Sequence, residues 1–100
     1  MKILELGHIV LYVSNLQRSA DFYKITLGFQ EIFRKPGVAA FSAGRTHHEL
    51  LLLEVGGTAE PKGRAKPGLY HIGFKIGDSP QDAKNVYKEL LEKHVPIMRE

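Results

Sequence analysis

Two stretches of this chain are near copies of one another: GHIVLYV at residues 7–13 and YHIGFKI at residues 70–76. Laying residue 8 on residue 71, an offset of 63, matches His8 with His71, Ile9 with Ile72, Leu11 with Phe74, Val13 with Ile76, Asn15 with Asp78 and Ala20 with Ala83. Each copy sets one histidine among β-formers, and each runs into a segment with helical periodicity. A repeat of this kind fixes the fold more firmly than any local propensity, because the chain must then be built from copies of one supersecondary unit.

The unit can be read from its first copy. Ile3 to Val13 is β-rich and apolar on both faces, as in a strand covered on both sides. In VSNLQRSADFYKITLGF, Ser14 or Asn15 can cap a helix whose apolar positions Leu16, Ala20, Tyr23 and Leu27 share one stripe. Gly28 stands where a helix end takes a left-handed residue. FQEIFRK, VAAFSAG and HHELLLLEV then give three short strands, separated by the turn formers KPG and AGRT. The module over residues 1–55 therefore reads βαβββ. Residues 56–68, GGTAEPKGRAKPG, have the composition of an exposed linker. Residues 69–100 restart the pattern with a strand, and Ser79 and Pro80 then open a helix with the stripe Ala83, Val86, Leu90 and Leu91. VPIMRE begins a further strand, and the second copy ends about thirty residues short of its 63-residue period. The expected fold is a single α+β domain, residues 1–100, of paired βαβββ modules with the second incomplete.

Composition narrows the function. With 14 Lys and Arg against 11 Asp and Glu, the net charge is only +3 and the basic residues are dispersed, which argues against a nucleic-acid partner. No apolar run approaches a membrane span, and MKILELGH meets a histidine too early for a signal peptide, so the expected address is cytoplasmic. Without cysteine, any metal must be held by His, Asp or Glu, which favours a harder ion or Fe(II) over a zinc knuckle.

Paired βαβββ modules with a histidine on each opening strand resemble the vicinal-oxygen-chelate superfamily, which contains glyoxalase I, extradiol dioxygenases, bleomycin-resistance proteins and methylmalonyl-CoA epimerase. The segment GHIVLYVSNLQRSADFYKITLGF resembles the family's opening strand and helix, and HHELLLLEV with GLYHIGFKI resembles the run between modules in extradiol dioxygenases. The resemblance implies that His8 and His71 converge on one divalent metal, Fe(II) first, with Mn(II), Ni(II) or Zn(II) as alternatives. Two neutral imidazoles and a carboxylate form the facial triad that leaves positions open for catechol and dioxygen.

It also implies roles for the residues of HHELLLLEV. Period-2 alternation puts His48, Leu50, Leu52 and Glu54 on one face and His47, Glu49, Leu51, Leu53 and Val55 on the other. His48 takes the position of the dioxygenases' acid/base histidine, and an imidazole near neutral pKa suits that task. Glu54 falls where glyoxalase I and the epimerases carry a ligand. Both residues also admit a plain reading, His48 as part of an exposed pair at a turn and Glu54 as a solvated strand end. Tyr12, Tyr23 and Tyr70 read as core or rim aromatics, and His94 as the end of the second helix.

The departure from the family is the missing final strand with its glutamate, from which a truncated chain is expected. Its uncovered edges would then drive a homodimer. The expected function is a mononuclear metal-dependent dioxygenase of the extradiol type acting on a small catechol-like molecule. The alternatives are a glyoxalase- or epimerase-type isomerase in which Glu54 joins the ligands, and a metal-free small-molecule-binding protein.

Overall fold

Burial alternates strictly from Ile9 to Val13: Ile9, Leu11 and Val13 pack on the core, while Val10 and Tyr12 face outward. This is the period of a strand with one covered face. The computed structural model describes residues 1–57, 67–69 and 71–98, and the chain divides into two units, Met1–Glu60 and Pro61–Glu100. The first unit holds β1 (Ile9–Val13), α1 (Leu16–Asp21), a π-helical turn (Phe22–Thr26), β2 (Gln30–Lys35), β3 (Val38–Ser42) and β4 (Leu50–Glu54). These strands form one sheet in the order β1-β4-β3-β2, with β1 parallel to β4 and the other neighbours antiparallel. The βαβββ order is the one the sequence implies.

The core lies between the sheet and the helix. Leu16 and Ala20 of α1 meet Ala39 and Phe41 of β3 and Leu50 and Leu52 of β4, with Ile9, Leu11, Val13, Tyr23 and Phe29 packed around them. Phe41, Leu50 and Leu52 are fully buried, each gaining roughly 1.5–3 kcal/mol from removal of its side chain from water. The helix starts at Asn15, whose side chain accepts the Arg18 N–H at 3.0 Å. It does not run on unbroken to Leu27, because its last turn widens to π geometry with Leu27 N–H bonded to the Phe22 carbonyl. Gly28, at φ +86°, then reverses the chain. Across the β2–β3 turn Lys35 pairs with Val38, and Gly37 at φ +81° makes that turn possible.

Three strand expectations are corrected. β1 begins at Ile9 rather than Ile3, because the pairing with β4 reaches only from Ile9 to Val13. Residues 71–77 and 95–98 carry no regular secondary structure; β-formers make a strand only where a ladder receives them. Tyr70, Glu100 and most of the expected linker, residues 58–66, lie outside the described residues.

In the second unit, α2 (Pro80–Glu92) is fixed by a capping box. The Ser79 hydroxyl accepts the Asp82 N–H at 3.2 Å, and the Asp82 carboxylate accepts N–H bonds from Asp78 and Ser79 at 3.0 and 3.3 Å. His94 ends the helix in the left-handed region, φ 58°, with its N–H on the Leu91 carbonyl. The expected apolar stripe is only partly covered: Val86 and Leu90 are half-buried, while Ala83 and Leu91 are exposed.

Candidate functional site

Because β1 and β4 run parallel, their N-terminal ends lie side by side. Ile9 pairs with Leu50, and the Ile9 N–H donates to the Glu49 carbonyl at 3.0 Å. The residues just ahead of both strands therefore meet at one end of the sheet. The His8 and His48 rings lie 4.6 Å apart between centroids at an interplanar angle of 45°. His47 joins them, its Nδ1 3.0 Å from the Nδ1 of His48 and its ring edge-on at 5.2 Å. With two Nδ1 atoms facing each other, one must carry a proton and the other accept it. His48 is half-buried, whereas His8 and His47 are exposed.

The loop that carries His47 and His48 is held from within. The Glu49 carboxylate accepts the N–H groups of Ala43 and, at 2.9 Å, Thr46. These bonds, the Ala43 one foremost, and the nearby Arg45 charge hold its carboxyl below the usual carboxylate range. Ser42 donates to the Thr46 carbonyl at 3.1 Å and accepts the Gly44 N–H at 3.0 Å. Arg45 reaches back to the segment before β1, bonding Glu5 at 2.6 Å and the carbonyls of Leu6 and Gly7 at 3.0 and 2.8 Å.

Glu54 is not part of this cluster. It pairs with Val13 at the far end of the two strands, about 16 Å from the His8 end by the rise of a β-strand over five residues. There its Oε2 accepts the Leu16 N–H at 2.8 Å, closing the start of α1. The structure does not bring Glu54 to His8: its carboxylate is bonded at a helix terminus one strand-length away. A shallow cleft of about 460 Å³ lies beside Glu54, bounded by Leu16, Gln17, Arg34 and the Lys35–Gly37 turn. The alternation that grouped His48 with Glu54 fails because regular β4 geometry begins only at Leu50. His71 belongs to the second unit and is exposed.

His8 and His48, both candidates from the sequence, meet in the structure, whereas the two residues that hold the loop beside them carry no such signal in the sequence. Arg45 was hidden in AGRT, which reads only as a turn, and Glu49 reads only as a position on a strand face. Glu49, the residue preceding Leu50, meets the start of β1 through its carbonyl, while its carboxylate lies on the Ala43 and Thr46 N–H groups. As a metal centre the cluster is incomplete. Among the described residues no group of three or more His, Asp or Glu side chains is placed to hold an ion, and Glu49 is committed to backbone N–H groups.

A βαβββ module with β1 parallel to β4, one face covered by a helix and a histidine ahead of β1 defines a recognised structural class. Residues 5–100 match the model of the Glyoxalase/Bleomycin resistance protein/Dioxygenase superfamily, and the chain belongs to that superfamily. Among solved structures, it is similar to lactoylglutathione lyase from Agrobacterium tumefaciens, with a TM-score of 0.74, 20% identity, and coverage of 99% of this chain and 77% of that one. An integron cassette protein from the mobile metagenome of V. cholerae superposes with a TM-score of 0.70 at 29% identity, covering 100% of this chain and 75% of that one. A glyoxalase/bleomycin resistance protein/dioxygenase from Nocardioides gives a TM-score of 0.61 at 23% identity, with coverage of 93% and 64%. No curated protein matches the chain. No helix among the described residues is long and apolar enough to cross a membrane.

Proposed function

We propose that this chain serves as a metal-dependent enzyme of the glyoxalase superfamily in which His8 is a metal ligand and His48 is the acid/base group beside it. The reading rests on one observation, the 4.6 Å approach of the two imidazoles from separate strand ends. A bound Fe(II) would supply the binding and activation of dioxygen.

His48 is suited to its role by position and type. It is half-buried, touches His8, and is bonded through Nδ1 to His47, which leaves Nε2 as the nitrogen that exchanges a proton with substrate. Ring cleavage of a catechol needs such a group twice, once to take a hydroxyl proton and once to return a proton. The proposed activity is therefore extradiol cleavage of a small catechol-like molecule, with a homodimer as the working form. Oxygen uptake with simple catechols after anaerobic loading with Fe(II) tests it, and sedimentation equilibrium across a wide concentration range tests the dimer.

A further inference from the structure

The segment ahead of β1 lies outside the sheet, yet His8 is held against a histidine from a different loop. Ladder pairing begins at Ile9, so pairing does not fix residues 5–7. The side chain of Arg45 does contact them, through one nitrogen on Glu5 and the other on the Leu6 and Gly7 carbonyls. Arg45 sits in the loop that runs into His47 and His48, and the Glu49 carboxylate ties that loop down at Ala43 and Thr46.

We propose that Arg45 is a positioning residue, clamping the backbone just before His8 to the loop just before His48 and so setting the approach of the two rings. The inference rests on the reading of His8 and His48 as one site. The two carbonyl bonds carry the effect more than the ion pair does, because the Arg45 and Glu5 side chains are 41% and 62% exposed and solvent screens such a pair. A planar guanidinium spans the carboxylate and two successive carbonyls at once. An ammonium is a single point charge and cannot reproduce that fork.

The test reads geometry separately from activity. In the full chain, ring-proton NMR follows the cross-peak between His8 and His48 in the parent and in Arg45→Lys, Arg45→Ala and Glu5→Gln, with amide dispersion as the check on folding. The cross-peak should persist in Glu5→Gln and be lost in Arg45→Lys and Arg45→Ala. With catechol turnover as a second readout, Arg45→Lys should lower kcat about ten- to hundred-fold with KM within about twofold, as expected for misplaced reacting groups. A cross-peak retained in folded Arg45→Ala, or fully present in Arg45→Lys, overturns the proposal; if Arg45→Ala does not fold, Arg45→Lys decides. Loss of the cross-peak with unchanged turnover upholds the clamp and refutes instead the chemical role given to His48.

Discussion

Glu54 and Leu16 are joined by a 2.8 Å bond from the Leu16 N–H to a carboxylate oxygen, so the last residue of β4 closes the first turn of α1. That bond decides between two roles for Glu54. Replacement by Ala leaves an orphan helix donor and should cost about 1 kcal/mol, the usual loss for a removed cap. Gln keeps an acceptor and should cost less. Urea denaturation gives both values, and bound metal per chain should be the same in both variants as in the parent. A drop in metal content for Glu54→Gln would restore Glu54 to the ligand set.

His48→Gln should reduce turnover by roughly a hundred-fold or more, the scale of a lost general acid/base group. Metal content should not change, because the proposed role of His48 is proton transfer and not ligation. Single-turnover measurement on the Fe(II)-loaded protein checks this, and unchanged turnover would make His48 a surface residue.

Gly28 occupies φ +86° with nothing within 4 Å of where a Cβ would stand. Gly28→Ala therefore meets no clash, and its cost is conformational alone, about 1–2 kcal/mol for a left-handed L-residue. Thermal unfolding should show the loss without a change in sheet content.

Asp82 predicts a pH effect confined to α2. Its carboxyl is held below its ordinary value of 3.8, first by the Asp78 N–H and then by Ser79. Since the folded value is the lower one, the cap's contribution is complete above the ordinary value and is lost as pH falls through the folded value. Helical circular dichroism followed from pH 7 to 2 should show this component, and Asp82→Asn should abolish it.

The repeat and the period-2 and 3.6 patterns made the first module legible, because Leu16, Ala20, Leu50 and Leu52 bury the faces their spacing assigns them. What failed were features that depend on long-range partners. YHIGFKI has the composition of a strand, but residues 71–77 join no ladder among the described residues. Glu54 lay on an attractive strand, but its fate depended on where α1 begins. Arg45 could not be found from AGRT, because its partners at Glu5, Leu6 and Gly7 meet it only through the parallel pairing of β1 with β4.

In the proposed assignment a divalent ion binds at the His8–His48 end of this module and not at the Glu54 end. Titration with Mn(II), followed by paramagnetic broadening in the NMR spectrum, tests it most directly. The His8 and His48 ring signals should broaden first and most strongly, while the Leu16 amide, held by Glu54 at the other end of the strands, should broaden last. Broadening centred on Leu16, or spread evenly over the module, would contradict it.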